Sequence, residues 1–576
     1  MDQQIINPEP SSEEPTSDGP DAATPTTSPA SVQPPASNAN TAPESPSSPL
    51  PASSETPPTP LGVAGAGPLA KSKKQKKFWL VAVLIVLLAA AGVIAFLKFR
   101  SKPATITANQ GPKELTNMRI GSDSPPFNSF YPDVNFLTGA SYDVNFQIYE
   151  GLVGFKDGNK IVPLLAESWT NPDDTTWNFV LKPGVKFHDG TAVTTADVKR
   201  SVEQALTSKI PSLITSTIAS VEAPDDSHVV IKTKAPDSVL VNKLAFIMVT
   251  GTAKVHGALA GTGAYYVSAD APTDGNTLEL TAFDDYHQGK PAVRAVSYKG
   301  YELSEDVLTA LKNNEIDASS FFNVQANKVD VAGFNRVEIP GPDIVHIGMN
   351  VLDTKSPLAK KQVRQAINLL IDPAEAMKVL DVTGRVLTQL TIPENFGYNP
   401  DLTAPVRDVA KAKALLTEAG YPKGFSIKFL HTTAKQKLFD LYKQELAEAG
   451  ITLVSEIDDN NTSFFNKIDA GKAQLYQYAA ASALIDSYDI FSFNFQTVNY
   501  KNATLDNLLN QSNATFDVAK RKQLLQDASK FLVDDAAAVP LYNPNAFAFI
   551  RDNINFVKSD VAGLASFGYI RTLSAK

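Results

Sequence analysis

The stretch that decides the fold is DDTTWNFVLKPGVKFHDGTAVTTADVKRSVEQAL, residues 173–206. Apolar side chains alternate with polar ones on both sides of Pro183-Gly184, which is a turn signal. This pattern predicts a β-hairpin with one strand at residues 177–181 and the other at 185–187, closed by the HDG sequence at 188–190. The fold therefore contains antiparallel β structure at this point of the chain.

The same stretch continues into a helix. Thr194 is followed three residues later by Asp197, a spacing that predicts a capping box at the start of a helix. Apolar residues then recur at helical spacing from Val198 to Leu206. A short strand followed at once by a capped helix indicates an α/β or α+β protein.

Elements of both kinds alternate along the rest of the chain. Strand-like runs begin at Met118, Phe425 and Ile451, whereas apolar residues at helical spacing begin at Val363, Val409 and Leu438. A further helix is predicted within residues 142–151, followed by a strand. Strands that alternate with helices predict an α/β fold. The sequence has no repeat of 20–50 residues, so a solenoid is not predicted.

Composition excludes several classes of protein. The chain has 576 residues, a formal net charge of −9 and no cysteine. The negative charge gives no basic surface for nucleic acid. The lack of cysteine excludes disulfides, thiol nucleophiles, cysteine-ligated zinc and a lipid anchor on an N-terminal cysteine.

The N-terminal part differs in composition from the rest. Residues 1–70 contain no lysine or arginine and hold 16 of the 39 prolines. Such a segment buries too little apolar surface to offset the entropy lost on ordering. We therefore predict a disordered tail rich in Pro, Ser and Thr over residues 1–77.

An uncharged run of 20 residues from Phe78 to Leu97 follows this tail. As a helix it would be about 30 Å long, which matches the hydrocarbon core of a bilayer. Five lysines precede it and three basic residues follow, which favours a cytoplasmic N-terminus. We predict a single-pass transmembrane helix over 78–98, a linker over 99–115 and an extracytoplasmic globular part. A cleaved signal peptide is the alternative, but the preceding segment is unusually long for one.

No pattern of residues indicates catalysis or a resident cofactor. The six histidines do not pair at metal-ligand spacing, and neither HExxH nor GxSxG occurs. Gly261-Thr262-Gly263 lacks the third glycine of a dinucleotide site. We predict that the protein is not an enzyme and needs no cofactor or metal.

Several ordered segments carry a resemblance to a known family. Besides residues 173–206, they are YEGL at 149–152, KIVPLLAESWT at 160–170, GTGAYYV at 261–267, LTAFDDYHQGKPAV at 280–293, ALKNNEIDA at 310–318, HIGMNVLDTKSPLAKKQVRQAINLLID at 346–372 and AKALLTEAGYPKGF at 412–425. Together they resemble the dipeptide, oligopeptide and nickel class of periplasmic solute-binding proteins. Ala264 and Asn314 depart from the usual Pro and Gly of that pattern.

The resemblance implies a two-lobed, type II periplasmic-binding-protein-like fold with two crossover strands. The expected ranges are lobe I at 116–348, lobe II at 349–540 and a return to lobe I at 541–576, with crossovers near 346–350 and 539–543. It also implies the substrate-binding subunit of an ABC importer, which captures a peptide or related solute by hinge closure and delivers it to a permease with ATPase subunits. We expect a monomer.

The resemblance extends to candidate ligand-binding residues. In AAASALIDSYDIFSF, residues 479–493, Asp486 falls at the position of an acid that pairs with the peptide ammonium, and Asp489 precedes the usual Pro. Ala483 and Ile490 replace the Trp and Pro of the pattern, so a loop or helix-capping acid is an equal alternative for Asp486.

Four further residues are weaker candidates for ligand contact. They are Asn128, Tyr131, Tyr265 and Asn350. Tyr265 is alternatively a core residue, because an aromatic side chain in a strand is more often buried. For Asn350, a structural role at the crossover is favoured over ligand contact.

Two other functions fit the same sequence. The long tail is compatible with a receptor that signals ligand to the cytoplasm without transport. The family resemblance also admits a non-peptide solute, such as an oligosaccharide or a metal chelate. Neighbouring permease and ATPase genes would favour the importer.

Overall fold

A computed structural model describes residues 113–123, 139–156, 160–208, 212–269, 275–320, 329–495, 499–556 and 570–576. The predicted tail, the run from Phe78 to Leu97, nearly all of the linker, and the candidates Asn128 and Tyr131 lie outside these ranges. Within them, no helix is long and apolar enough to cross a membrane.

Lobe I combines a mixed sheet with a smaller antiparallel sheet. Its strands are β1 Met118–Ser122, β2 Val153–Lys156, β3 Lys160–Pro163, β4 Ala166–Asp173, β5 Thr176–Leu181, β6 Ile218–Glu222, β7 His228–Thr233, β8 Lys254–Val255, β9 Ala258–Leu259, β10 Tyr265–Val267, β11 Thr277–Ala282, β12 Ala295–Gly300, β13 Ala318–Ser319 and β14 Phe334–Pro340. Its helices are α1 Gly139–Ile148, α2 Thr195–Thr207, α3 Ser212–Thr215, α4 Leu240–Leu244 and α5 Ser304–Lys312. The smaller sheet has the order β4-β5-β7-β6.

Lobe II is built on the continuation of the large sheet. Its strands are β15 Asp343–Met349, β16 Gly384–Val386, β17 Ser426–His431, β18 Thr452–Ile457 and β19 Leu475–Ala481, followed by the long β20 Ala538–Arg551. Its helices are α6 Lys361–Leu370, α7 Pro373–Leu380, α8 Val409–Glu418, α9 Gln436–Ala447, α10 Asn461–Asp469, α11 Ser487–Asp489, α12 Ala503–Asn513 and α13 Val518–Asp534. After β20, β21 Ile554–Asn555 pairs with β22 Ser574–Ala575.

Each lobe has its own core. In lobe I, apolar side chains from β1, α1, the smaller sheet and β10–β12 form one large cluster. In lobe II, one cluster packs α6, α8 and α9 against β17–β19, and another packs α12 and α13 against residues 387–392. The regularly spaced apolar residues of α6, α8 and α9 are the ones that these cores bury.

The long strand β20 belongs to both lobes. Its first residues pair with β15 and β16 in lobe II, and its later residues pair with β14 and β13 in lobe I. The chain therefore passes between lobes at two adjacent places, within β20 near Pro544 and at the β14–β15 connection at 341–342. The latter lies a few residues before the predicted 346–350.

The two crossovers are tied together by Asn543. Its Nδ2 donates hydrogen bonds to the carbonyl oxygens of Gly341 at 2.8 Å and Asp343 at 2.7 Å. Its Oδ1 accepts from Arg385 Nε at 2.8 Å. Only glycine fits at 341, because a Cβ there would lie 2.6 Å from the Pro544 carbonyl oxygen. This arrangement holds the two connecting strands in fixed register.

Residues 173–206 fold partly as predicted. Thr194 and Asp197 form the predicted capping box at the start of α2, with both reciprocal bonds present. The predicted hairpin is wrong in its partner: β5 pairs with β4 and β7. Residues 185–187 make a bridge within their own loop, from Lys186 to Ala192. Val185 and Phe187 alternate because both are buried in lobe I, which the pattern alone does not distinguish from strand pairing.

Candidate functional site

The loop that carries Asp486 and Asp489, residues 482–490, follows β19 at the boundary between the lobes. We call it the interlobe loop. Phe396 N donates to Ile485 O at 3.1 Å, and Ser487 N donates to Phe396 O at 2.9 Å, so the loop is docked on lobe II. Leu484 packs with the core of lobe I. The loop therefore contacts both lobes.

The interlobe loop is held in a strained conformation. Ile485 has φ = 56°, in the left-handed region that a β-branched side chain rarely adopts. Such a conformation persists only where surrounding contacts fix it, and it is concentrated at functional sites. The two hydrogen bonds to Phe396 on either side of Asp486 provide that fixation.

Asp489 has a structural role inside the loop. Its Oδ1 accepts from Ser482 Oγ at 2.8 Å, and its Oδ2 accepts from Leu484 N at 2.9 Å. Burial raises the pKa of the Asp489 carboxyl to about 7, against the lowering effect of these hydrogen bonds. The side chain is buried and braces the loop from within.

Asp486 is also engaged by the protein itself. Its Oδ2 lies 2.7 Å from Arg521 Nη1 and its Oδ1 lies 3.0 Å from Arg521 Nη2, which makes a bidentate ion pair. Oδ1 also accepts from Tyr488 N at 2.9 Å and so caps the short helix α11. The side chains of Arg521 and Asp486 are 9% and 2% exposed.

Arg521 also reaches from lobe II to lobe I. Its Nε donates to Ser238 Oγ at 2.8 Å, and the guanidinium carbon lies 4.9 Å from the centre of the Phe396 ring. A guanidinium bound at its edges and stacked on a ring has a single well-defined position.

Further hydrogen bonds join the lobes around Arg521. Ser238 N donates to Asn513 O at 2.9 Å, and Ser238 Oγ donates to Ser512 O at 3.1 Å. Asn242 Nδ2 donates to Leu484 O at 2.8 Å. We call this set of contacts, between residues 236–242 of lobe I and residues 484, 512, 513 and 521 of lobe II, the interlobe seam.

A second buried ion pair adjoins the seam, because its residues neighbour Ser238 and Asn242 in the chain. Lys243 Nζ is 2.6 Å from Asp237 Oδ2, and the two side chains are 3% and 0% exposed. Thr217 Oγ1 donates to the same carboxylate oxygen at 2.5 Å. The Asp237 carboxylate thereby fixes the start of α4, which carries Asn242 to the seam.

The other predicted site residues have structural partners in this conformation. Tyr265 has no exposed surface and packs in the core of lobe I. Asn350 donates from Nδ2 to Gly471 O at 2.8 Å and accepts at Oδ1 from Leu352 N at 3.1 Å. Ligand contact by either residue stays a prediction, as it does for Asn128 and Tyr131 outside the described ranges.

Arg521, Ser238 and Asn242 were not predicted from the sequence. A signal for Arg521 exists, since it lies on the stripe that continues through Leu525, Ala528 and Leu532 of α13. A charged residue on the apolar face of a helix indicates a buried partner. Nothing comparable distinguishes Ser238 or Asn242, because their roles depend on lobe packing.

A separate cavity of about 700 Å³ lies in lobe II. Its lining includes the apolar residues Leu369, Leu390 and Leu532 and the basic residues Lys361 and Lys411. None of its lining residues belongs to the interlobe loop or the seam. It is therefore a feature of lobe II alone.

Comparison with known proteins identifies the family. A model of the bacterial extracellular solute-binding proteins, family 5 Middle, matches residues 160–502, more than half of the chain. The chain belongs to this family. The predicted resemblance is thus confirmed, and this family 5 protein is a binding protein and not an enzyme.

Individual relatives agree with this assignment. This family 5 chain is 28% identical over 436 residues to the glutathione-binding protein GsiB of Pectobacterium atrosepticum, covering 69% of this chain and 83% of that protein. The solved structure of the Helicobacter pylori periplasmic binding protein DppA in complex with the peptide STSA matches with a TM-score of 0.64 at 22% identity, covering 80% of this chain and 98% of that one.

A further solved structure shares the fold. The protein AgaA in complex with agropinic acid, from A. tumefacien R10, matches with a TM-score of 0.65 at 23% identity, covering 80% of this chain and 99% of that one. At this level of identity the two solved structures show only that the fold is shared. The predicted two-lobed α/β fold of this family 5 protein is confirmed.

Proposed function

We propose that this protein is the substrate-binding subunit of an ABC importer and captures a peptide or related small solute between its lobes. The observation that carries the proposal is the interlobe loop, a strained and internally braced segment at the lobe boundary of a family 5 solute-binding protein. Ligands of type II binding proteins lie between lobes that close about a hinge. The name of the relative GsiB, a glutathione-binding protein, favours a peptide-like ligand.

The proposed ligand site combines the interlobe loop with the segment after β1. Asn128 and Tyr131 are the proposed contacts from lobe I. Asp486 and Asp489 shape the lobe II side, and direct contact by Tyr265 or Asn350 requires a change from the contacts described above.

The mass of the solute that co-purifies with the full-length protein tests this proposal. Native mass spectrometry in detergent should detect one peptide-like species that is released on denaturation. Calorimetric titration with di- to pentapeptides should then give saturable binding. A co-purifying sugar or metal chelate, with no binding of any peptide, would contradict the peptide assignment.

We further propose that the protein is a monomer held in the cell membrane by the run from Phe78 to Leu97, with residues 1–77 in the cytoplasm. The length of the run and the excess of lysines before it support this topology. Alkaline carbonate should leave the protein in the membrane pellet. Protease added outside intact spheroplasts should remove the globular part and spare the tail. A chain found only in the soluble fraction would contradict the anchor.

Delivery to a permease is part of the same proposal. Cross-linking in membranes should join the protein to a permease that has associated ATPase subunits. Cross-links only to a cytoplasmic signalling protein, through residues 1–77, would favour the receptor function instead.

A further inference from the structure

The charges of the interlobe loop are satisfied from within the chain. Residues 482–490 are all described, and they contain two carboxylates, Asp486 and Asp489. Asp486 is bound by Arg521, and Asp489 is bound by Ser482 and Leu484. Burial also raises the pKa of Asp489 to about 7, which favours its neutral form. The loop therefore presents no unpaired anion.

Arg521 is fixed in its place by four separate interactions. Two Nη atoms bind Asp486, Nε binds Ser238 of lobe I, and the guanidinium plane lies over Phe396. A ligand cation that took the place of Arg521 on Asp486 would have to break both bonds to the carboxylate, while Ser238 and Phe396 hold the guanidinium in that place. The displaced guanidinium would lose its counter-ion in a nine-tenths buried position, which is strongly unfavourable.

We propose that Arg521 is a specificity-determining residue. Its guanidinium occupies the cation position, which is the place beside Asp486 where the ammonium of a ligand would otherwise bind. The inference rests on the proposed function and names its ligand class more narrowly: the part of the solute that faces the interlobe loop is uncharged. A peptide with a blocked amino terminus therefore binds as well as one with a free ammonium. Asp486 acts on the ligand by positioning Arg521.

The first test compares two probes on the full-length wild-type protein in detergent. Calorimetry with Ala-Ala-Ala and N-acetyl-Ala-Ala-Ala should give dissociation constants within about threefold of each other, because neither ligand gains a charge pair. A loss of about tenfold or more on acetylation, the size expected for a lost charge-assisted contact, would overturn the inference.

The second test removes the Arg521 guanidinium, so that the position beside Asp486 is empty. Arg521→Ala leaves the Asp486 carboxylate unpaired, so this variant should prefer Ala-Ala-Ala over its acetylated form by about tenfold or more. Arg407→Ala is the matched control, because its partner Glu448 lies at the surface of lobe II. Equal affinity of Arg521→Ala for the two probes would contradict the proposal. If Arg521→Ala does not fold, the double variant Arg521→Gln with Asp486→Asn should fold and show no preference; a preference for the free amine would contradict it.

A third measurement separates this inference from the proposed function. If wild-type protein binds neither probe, rescue of Arg521→Ala by methylguanidinium decides the inference independently of peptide capture. Methylguanidinium should raise the Tm of Arg521→Ala and leave that of wild type unchanged, since only the variant offers an empty cation position. Equal effects on both proteins would show that Arg521 does not occupy such a position.

Discussion

Glu445 on α9 is a buried carboxyl with an incomplete set of partners. Its Oε1 accepts from Asp372 N at 3.2 Å, whereas its Oε2 is buried and has no hydrogen-bond partner among the described residues. Burial raises the pKa of Glu445 to about 7. Between its ordinary value of 4.5 and about 7, the folded state binds a proton that the unfolded chain has released, so the free energy of unfolding falls as pH rises through this window.

Glu445→Gln should therefore stabilise the protein above pH 7, by about 1–3 kcal/mol, the range for a buried polar group without a partner. Between pH 4.5 and 7 the free energy of unfolding should also fall less in the variant than in wild type, because glutamine does not titrate. Thermal unfolding from pH 4.5 to 8.5 measures both effects. Glu418→Gln, an exposed residue at the end of α8, is the control, and an identical pH profile for wild type and Glu445→Gln would contradict the prediction.

For the buried Lys243–Asp237 ion pair we predict the opposite effect, because removing one partner leaves the other charge buried and unpaired. Lys243→Met leaves Asp237 fully buried without its counter-ion, and it should cost about 3–5 kcal/mol of unfolding free energy. The double variant Lys243→Met with Asp237→Leu should cost much less than the two single changes added together. Denaturant unfolding of the four proteins gives the coupling, and simple additivity would show that the pair is not coupled.

Only one half of the Asp486 pair could be located from sequence. Resemblance places an acid at 486, because neighbouring residues fix the alignment there. Its partner lies 35 residues further along the chain, on a different helix. Which residue pairs with Asp486 depends on how α13 packs against the interlobe loop, and local sequence does not contain that information.

The helix α2 shows what local sequence does determine. Its capping box joins residues three positions apart, so the interaction does not depend on the tertiary fold. The failed hairpin at 177–187 is the contrary case. Strand pairing needs a partner, and β5 pairs with β4 and β7, while Val185 and Phe187 are buried outside the strands of the described residues.

The capping box gives a prediction at the level of this element. Thr194→Ala removes the side-chain acceptor for Asp197 N and should lower the free energy of unfolding by about 1 kcal/mol. Thr194→Ser retains the hydroxyl and should retain most of the stability. Chemical denaturation of the three proteins measures the differences. Equal losses for Ala and Ser would indicate that the Thr194 methyl group, and not the cap, is responsible.

At the scale of the whole molecule, the α/β class and the two lobes were predictable because the ordered motifs extend over most of the chain. The exact crossover was not, since the switch of partners along β20 is set by Gly341 and Asn543. Single residues of this kind carry no periodic signal. The seam was unpredictable because its residues come from three distant segments of the chain, around positions 236–242, 484 and 512–521.

Asn543 leads to a prediction about the relation between the lobes. Asn543→Ala removes the bonds to Gly341, Asp343 and Arg385, and it should cost about 1–3 kcal/mol. It should also broaden the distribution of interlobe distances, measured by double electron–electron resonance between spin labels on the two lobes. Asn555→Ala is the control, because its side chain binds Ser574 and Ala575 in the β21–β22 pair, away from the crossover. An unchanged distance distribution in Asn543→Ala would contradict a role at the crossover.

The position of β20 in the chain has a consequence for how the protein is made. This strand completes the sheets of both lobes, yet it starts only at Ala538 of a 576-residue chain. A nascent polypeptide that has emerged as far as α13 contains almost all of lobe II but lacks the strand that separates β14 from β15 in the finished sheet. Neither half can reach its final stability until β20 has been synthesised, so both lobes mature only after the last helix of lobe II. A stop codon just before Ala538 would therefore leave two incomplete folding units instead of one.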